Sequence, residues 1–354
     1  MNFEYLIIGQ GIAGTLISYT LWKQGKSFLV IDNENGAARA SVVAGAIINP
    51  VNVNRWTAAP QVGSIVQTAL HTYKNFEETL GCSLIEETGM LVFHEDAAQR
   101  HLFARQHLRS QTYLAEPAEV EIQIANRFFN DDFGLAKVHP LWKVDAAKLL
   151  LAWADFLQHR GWLLQERFEI ERCIHTPESI FYNNIHAKKI IFCEGASGTL
   201  NPFFEQLPFT KNRGEALLLS IPALPPEYIY HRGIRLVPTA EGLFWCGSNY
   251  QWSYDDLLPD QNWRNQTEIK LRQWLNIPFR VVDHLVAERP TTEGQVFLAG
   301  VHPHMPSAVI FNGLGTKGFS YGPVLANALC SQLIVGDDAP LATLAGPLHK
   351  WISQ

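Results

Sequence analysis

Three glycines and one aspartate near the start of the chain have the types and spacing of a dinucleotide-binding turn. Gly9, Gly11 and Gly14 follow an apolar run, and Asp32 lies 18 residues beyond the last glycine. Glycine permits a tight turn and a close approach to pyrophosphate, while an acidic side chain accepts hydrogen bonds from ribose hydroxyls. The sequence therefore predicts a site for an ADP moiety, formed by Gly9, Gly11, Ile12, Ala13, Gly14 and Asp32.

A second glycine-rich segment, residues 313–318, also has the composition of an anion site. It precedes a predicted helix from Phe319 to Leu333 that carries Pro323 in its first turn. The N-terminus of this helix would stabilise negative charge on a bound cofactor. Lys317 is the first catalytic candidate. A positive charge at a helix N-terminus interacts unfavourably with the helix dipole, so its presence there indicates a functional role. The predicted cofactor contacts in this segment are Gly313, Leu314, Gly315, Thr316, Lys317 and Gly318.

The elements around the first glycine turn form half of a βαβ unit. Phe3 to Ile8 is apolar and predicts a buried strand, Ile12 to Lys23 has helical spacing, and Ser27 to Asp32 predicts a second strand. This arrangement places the glycines between a strand and a helix, where a dinucleotide-binding turn requires them.

The middle of the chain has a different pattern. Three segments predict strands, namely Gly89–His94, Glu119–Phe129 and Gly214–Trp252, of which the last is rich in aromatic residues and proline, whereas Val144–His159 predicts a helix. We therefore expect two interleaved domains in an α/β (α+β) fold. The predicted Rossmann-like cofactor domain comprises residues 1–80, 140–212 and 286–354, and the predicted antiparallel-sheet substrate domain comprises residues 81–139 and 213–285.

Composition excludes several classes of function. The chain has 354 residues, of which 47% are hydrophobic and 18% charged, so it can bury a large core. Its formal net charge of -6 provides no global attraction to nucleic acid or anionic lipid. No apolar run reaches the roughly 20 residues of a membrane span, and no signal peptide is evident, so we expect a cytoplasmic protein.

Cysteine and histidine usage predicts neither disulfides nor a metal. The five cysteines are scattered and never form a Cys-x-x-Cys pair, which fits a reducing compartment. His302-Pro303-His304 has no carboxylate or cysteine at ligand spacing.

The order of further motifs resembles the D-amino acid oxidase superfamily, which includes glycine oxidase, sarcosine oxidase and the FAD domain of a tRNA-modifying enzyme. The resemblance runs from about residue 3 to about residue 335 and favours FAD over NAD. Its segments are Arg39–Pro50, Lys189–Ser197, Arg213–Ala216, Gly233–Pro238 with Cys246-Gly247-Ser248, Glu288–Thr292 with Gly300, and Phe311–Phe319.

The resemblance extends the predicted cofactor site beyond the glycine turns. Residues 40–50 are rich in small side chains, so their backbone can approach a flat ring system, and the Arg39 and Ser41 side chains can meet phosphate. Thr291 and Thr292 stand where sarcosine oxidase-like members attach the flavin through cysteine, so we expect noncovalent FAD. The added cofactor-binding residues are Arg39, Ser41, Gly45, Ala46, Phe168, Glu194, Gly195 and Ala196.

Members of this superfamily remove a hydride from a carbon next to an amine nitrogen, and the imine is then hydrolysed. The resemblance therefore implies an amine or amino-acid substrate, with Arg289 as a second catalytic candidate beside Lys317. Guanidinium groups bind carboxylates in a bidentate manner, and aromatic side chains can form a pocket wall. The predicted substrate residues are Arg213, Arg235, Tyr250 and Trp252.

Two alternatives stay open at this stage. Thr316 stands where glycine oxidase-like members carry a carboxylate-binding arginine, and Lys317 resembles the Ser-Arg-Gly form of the tRNA-modifying oxidase. The chain is thus also a candidate for a wobble-uridine side-chain oxidase without a fused methyltransferase. The third hypothesis is a flavin-binding protein with a non-catalytic role. The sequence leaves the electron acceptor and the oligomeric state open.

Overall fold

The computed structural model describes residues 1–33 and 40–352, so the predicted cofactor residue Arg39 lies outside the described part. Its strands are β1 (Asn2–Ile8), β2 (Phe28–Asp32), β3 (Ile47–Ile48), β4 (Val51–Asn52), β5 (Thr57–Ala58), β6 (Ile85–Phe93), β7 (Leu114–Ala115), β8 (Leu135–Val144), β9 (Leu163–Gln165), β10 (Cys173–His175), β11 (Ile180–Tyr182), β12 (Ile185–Phe192), β13 (Phe209–Ser220), β14 (Tyr228–Arg232), β15 (Ile234–Pro238), β16 (Phe244–Gly247), β17 (Arg280–Thr292), β18 (Leu298–Val301) and β19 (Ala308–Asn312). Its α-helices are α1 (Ile12–Lys23), α2 (Ala40–Val43), α3 (Val62–Leu80), α4 (Ala97–His107), α5 (Glu119–Phe128), α6 (Ala146–Gln158), α7 (Gln261–Trp274), α8 (Gly318–Val335) and α9 (Ala339–Leu344).

The first sheet contains the predicted βαβ unit. β1 pairs in parallel with β2 and β12, and further parallel pairs join β2 to β9 and β12 to β19. Strands buried on both faces must be apolar throughout, and Leu6 and Ile7, which point to opposite faces, are both fully buried. Helices α1 and α8 pack on one face of this sheet, where Gly322 of α8 lies against Leu16 of α1. The predicted strand–helix–strand order is confirmed.

The second sheet has the strand order β17-β13-β16-β15-β14-β6-β8-β3, with β7 paired to β8. Every adjacent pair in it is antiparallel except β14 and β6, which run in parallel. The sheet is therefore mixed rather than purely antiparallel as the sequence analysis predicted. A parallel pair of this kind requires the chain to cross over the sheet between the two strands. No local sequence pattern predicts this crossover.

Long strands cross all the predicted domain boundaries except the one at residue 80. Residues 139 and 140 lie in β8, residues 212 and 213 in β13, and residues 285 and 286 in β17. β13 and β17 also contact the turn that follows β12 of the first sheet. The division into two domains stays a prediction.

The predicted strand over Glu119–Phe129 is wrong, because these residues form helix α5. Val120, Ile122 and Ile124 alternate along the sequence as in a strand, but the buried side chains are Glu121, Ala125 and Phe128, which follow helical spacing. Glu121 accepts a hydrogen bond from the backbone N–H of Ala118 and pairs with Lys137. The hydrogen bond and the ion pair of this buried carboxylate stabilise the helix by more than the branched residues would stabilise a strand.

Helix α8 begins at Gly318, so Pro323 lies in its second turn rather than in the first turn. A proline there cannot donate a hydrogen bond to the carbonyl four residues earlier, which belongs to Phe319. The Tyr73 hydroxyl on α3 donates to that carbonyl oxygen at 2.8 Å, and Tyr73 is fully buried. A side chain from another helix thus replaces the bond that the helix lacks.

We expect Tyr73→Phe to destabilise the protein by about 1–3 kcal/mol, because it leaves the buried Phe319 carbonyl without a donor. Urea unfolding of the FAD-loaded protein measures this difference. The matched control is Tyr113→Phe, since the Tyr113 hydroxyl makes no hydrogen bond within the described ranges. Equal stability of the two variants would contradict the assigned role of Tyr73.

Two further findings concern membranes and metals. Within residues 1–33 and 40–352, no helix has both the length and the apolar character that a membrane crossing requires. His302 Nδ1 accepts the backbone N–H groups of His304 and Met305 at 3.1 and 3.0 Å, so this imidazole stabilises a turn.

Candidate active site

A cavity of about 1560 Å³ is lined by residues of both sheets. The glycine turn after β1 and the end of β2 form one part of its wall, and β13, β15, β16 and β17 form another. The loop before α8 completes the wall. The volume exceeds the 300–1,000 Å³ typical of a small-ligand pocket, which is consistent with a dinucleotide and a second molecule.

The glycine turn is built by close contacts that exclude a Cβ atom. A Cβ at Gly14 would overlap the carbonyl oxygen of Gly9, and a Cβ at Gly9 would lie 2.5 Å from the carbonyl oxygen of Cys193. Gly11 differs, because its Cβ would meet only the Ser41 hydroxyl at 3.2 Å and Gly11 itself lines the cavity. Gly14 and Gly9 therefore join helix to strand, whereas Gly11 leaves room for a ligand.

Side chains around the turn are arranged for a nucleotide. Asp32 accepts the backbone N–H of Gln10 at 3.1 Å, which places the carboxylate beside the turn. The Ser41 oxygen accepts the N–H of Ile12 at 3.0 Å, and its own hydroxyl proton can be donated to a phosphate oxygen. The free N–H groups at the start of α1 and this hydroxyl form an anion site.

The segment after α2 lies against Trp245 of β16. The indole N–H of Trp245 donates to the Val43 carbonyl at 2.8 Å, and a Cβ at Gly45 would come within 3.0 Å of the ring. Ala46 has a φ of 44°, a left-handed conformation that costs an alanine of order 1 kcal/mol. The tertiary contacts of Trp245 and the strand pairing around Ala46 hold this backbone along the cavity wall.

The turn after β12 is tied to the end of β19. The Asn312 amide donates to the Gly195 carbonyl at 2.9 Å, and the Asn201 amide donates to the Glu194 carboxylate at 2.8 Å. Burial raises the pKa of Glu194, and the hydrogen bond from Asn201 opposes that rise. Glu194, Gly195 and Ala196 all line the cavity.

The loop before α8 brings Lys317 to the cavity as the N-cap residue of that helix. The ammonium of Lys317 lies 4.7 Å from the centre of the Tyr321 ring, which turns the exposed side chain over the first turn of the helix. The Gly315 N–H donates to the Pro290 carbonyl at 2.9 Å. This bond joins the loop directly to the segment that carries Arg289.

Arg289 of β17 is held over a glycine. Its Nη1 donates to the Asn212 side chain at 2.6 Å and to the Asn249 carbonyl at 3.2 Å, and a Cβ at Gly214 would overlap the guanidinium. The guanidinium carbon lies 4.9 Å from the centre of the Tyr250 ring. Burial lowers the pKa of Arg289 and Tyr250 opposes this, but an arginine stays protonated at neutral pH.

Arg213 and Trp252 do not line the cavity, which departs from the substrate roles predicted for them. Successive residues of a strand point to opposite faces, so Arg213 faces away from the side that carries Gly214. Its guanidinium contacts the Gln251 side chain at 3.0 Å, the Leu258 carbonyl and the Glu215 carboxylate at 3.6 Å. These contacts place Arg213 in a buried ion pair, and Trp252 is exposed outside the cavity.

Arg235 and Tyr250 do line the cavity. Arg235 is half-buried and directly opposes His231 across β14 and β15. The His231 imidazole donates from Nδ1 to the Ile234 carbonyl at 3.2 Å. Burial, with a smaller contribution from Arg235, lowers the pKa of His231 to about 3, so this ring is neutral at physiological pH.

Most of the predicted cofactor residues meet at this one cavity. Gly14 and Gly313 are exceptions, since they pack against Gly9 and against Thr292 and Leu298 respectively. Sequence analysis missed several residues that line the cavity or support its side chains. Each lies two residues from a residue in a predicted strand segment, and this spacing places both residues on the same face of a sheet, which was a usable signal. The missed residues are Asn212, His231, Trp245 and Asn249.

This arrangement is that of a dinucleotide-binding cavity, and its residues fit FAD. The glycine turn would hold the pyrophosphate, Asp32 the ribose, and residues 45 and 46 together with the loop before α8 the flavin end. The excluded Cβ atoms at Gly9 and Gly14 and the roomy position of Gly11 are the observations that support this fit.

The comparisons with known proteins agree with the geometry. Residues 4–332 match the DAO family model, described as FAD dependent oxidoreductase. The chain belongs to this family, whose members use FAD as cofactor.

Solved structures show the same fold at low identity. Iminodiacetate oxidase from Chelativorans sp. BNC1 is 17% identical, with a TM-score of 0.78 and coverage of 98% of both chains. Glycine oxidase from Geobacillus kaustophilus is also 17% identical, with a TM-score of 0.78 and coverage of 96% of this chain and 98% of that one. L-proline dehydrogenase from P. horikoshii is 17% identical, with a TM-score of 0.75 and coverage of 97% and 96%.

Proposed function

We propose that this protein oxidises an amine that carries a carboxylate, and that Arg289 binds the carboxylate. Bound FAD would supply the acceptor for a hydride from the carbon next to the amine nitrogen. The imine product then hydrolyses in water. The observation that carries the proposal is the Arg289 guanidinium, which faces the cavity while only its Nη1 is engaged by Asn212 and Asn249.

The cavity residues have distinct roles in this proposal. Arg289 orients the substrate, because Gly214 beneath it and Tyr250 beside it fix the plane of the guanidinium. Lys317 and the N-terminus of α8 stabilise negative charge at the flavin end of the cavity. Trp245 and Tyr250 form an apolar wall that reduces the access of water.

The names of structurally similar proteins support an amine substrate. Iminodiacetate oxidase, glycine oxidase and L-proline dehydrogenase are each named for a substrate that contains both an amine and a carboxylate. Noncovalent binding of FAD also belongs to the proposal, since Thr291 and Thr292 offer no thiol to the flavin.

An anaerobic flavin-bleaching screen tests the proposal. The FAD-loaded protein is mixed with glycine, sarcosine, D- and L-amino acids and proline, and with matched amines that lack the carboxylate. We expect at least one carboxylated amine to reduce the flavin about 100-fold more efficiently than its decarboxylated counterpart, because the arginine contact exists only with the former.

Three outcomes would count against this function. Faster bleaching by decarboxylated amines or polyamines would reject the carboxylate contact. Reduction that requires tRNA would favour the wobble-uridine oxidase, and a flavin that no amine or tRNA reduces would favour a non-catalytic protein.

A further inference from the structure

Arg235 is a second cavity guanidinium that the proposed chemistry does not use. Its Nε atom is buried without a hydrogen-bond partner, and its side chain makes no ion pair with any residue that the structure describes. A buried donor without a partner costs about 1–3 kcal/mol, more when it is charged. Such a group favours a compensating contact, and no described residue supplies one to the Arg235 Nε atom.

Arg235 and Arg289 lie on the same face of the second sheet. Arg235 opposes Gly247, Gly247 opposes Ala216, and Arg289 opposes Asn212 on the same strand as Ala216. Directly opposed residues share a face, and residues two or four apart along a strand share it too. Both guanidiniums therefore belong to one surface of the cavity.

The surface between the two arginines is formed by small residues. Gly214, Ala216 and Gly247 occupy the positions between them and line the cavity. Tyr250 also lines the cavity, with its ring centre 4.9 Å from the guanidinium carbon of Arg289. The cavity surface between the two guanidinium groups therefore carries only small residues, which leaves space for a flat or extended molecule.

Within the part of the chain that the structure describes, no acidic side chain pairs with the charges on this surface. Among residues 1–33 and 40–352, no carboxylate lies within ion-pair distance of Arg235 or Arg289. His231, which opposes Arg235, is neutral and adds no cation. Two half-buried guanidinium groups that share a cavity favour a ligand with more than one negative charge.

We propose that Arg235 binds a second anionic group of the substrate, so that the natural amine is a dianionic compound with a carboxylate at Arg289 and a further carboxylate or phosphate at Arg235. This inference rests on the proposed function. It narrows the substrate class from carboxylated amines in general to those with acidic groups at two points.

Anion binding to the FAD-loaded protein tests this inference without turnover. The probes are acetate, the dicarboxylates malonate, succinate and glutarate, and the phosphonates phosphonoacetate and 3-phosphonopropionate, followed through the visible spectrum of the flavin. We expect at least one dianion to bind about tenfold or more tightly than acetate, because it engages both guanidiniums. Tighter binding of the dicarboxylates would indicate a carboxylate at Arg235, and tighter binding of the phosphonates would indicate a phosphate.

Variants assign the preference to Arg235. We expect Arg235→Met to reduce the dianion affinity to about that of acetate and to leave the affinities for acetate and FAD within about twofold of the parent protein. Arg235→Lys should restore part of the preference because it keeps the charge. The control Arg105→Met removes an exposed cation on α4, outside the cavity, and should change no affinity.

The outcomes separate this inference from the proposed function. Binding of acetate with no dianion preference overturns the role of Arg235 alone, as does a loss of FAD affinity in Arg235→Met, which would assign the residue to the cofactor. Failure of acetate and every dianion to bind would instead reject the carboxylate contact at Arg289.

Discussion

Gly14→Ala is expected to yield a protein that purifies without FAD. The added methyl group would overlap the carbonyl oxygen of Gly9, so α1 must move away from β1. Overpacking of this kind typically costs 1–3 kcal/mol, and displacement of the helix N-terminus also removes the anion site. We expect FAD affinity to fall by at least about 100-fold, measured by flavin absorbance of the purified protein and by titration with FAD.

A second glycine keeps this prediction testable if Gly14→Ala does not fold. A methyl group at Gly11 projects toward the cavity and meets only Ser41, so Gly11→Ala should fold with near-native stability and still lose FAD affinity. The control is Gly63→Ala in the first turn of α3, where the nearest atom to the new Cβ lies at 3.9 Å. Equal FAD affinities for Gly11→Ala and Gly63→Ala would refute the assigned pyrophosphate site.

Gly214→Ala is expected to lower kcat/KM for the carboxylated substrate by about 100-fold while leaving FAD bound. The new methyl group would occupy the space of the Arg289 guanidinium and force it away from Asn212 and Asn249. The substrate carboxylate then loses its oriented partner, although no charge is removed from the protein. Steady-state kinetics and the flavin spectrum measure the two effects separately.

A double-mutant cycle with Arg289→Met assigns the loss. If Gly214→Ala acts by displacing the guanidinium, the double variant should be no slower than Arg289→Met alone, because one interaction can be lost only once. If the fold loss in kcat/KM of the double variant equals the product of the two single losses, Gly214 and Arg289 act independently. Wild-type kcat/KM in Gly214→Ala would likewise reject the proposed orientation.

The strand, turn and helix at the start of the chain were the part of the fold that local sequence predicted best. The strand, turn and helix around Gly9 and Gly14 are confirmed, because the tight turn depends on residues that are adjacent in the chain. The family resemblance correctly added FAD. The first result depends on the geometry of residues that are adjacent in the chain. The second depends on the order of motifs along the chain.

Patterns that fit two structures were less informative. Glu119–Phe129 was predicted to be a strand, and its branched residues do alternate, but the contacts of buried Glu121 with Lys137 and Tyr228 explain the helix. The parallel pairing of β14 with β6 was also missed, since it depends on how distant parts of the chain cross the sheet.

The sequence by itself determined the strand, turn and helix of the dinucleotide motif, and it predicted two interleaved domains and arginines that could bind a substrate carboxylate. Only the tertiary structure decided which arginines reach the cavity. Arg213 lies one residue before Gly214 and is directed to the opposite face, whereas Arg289 and Arg235 share the open face. The physical reason is that strand register and pairing across four strands, rather than residue type, determine which side chains meet.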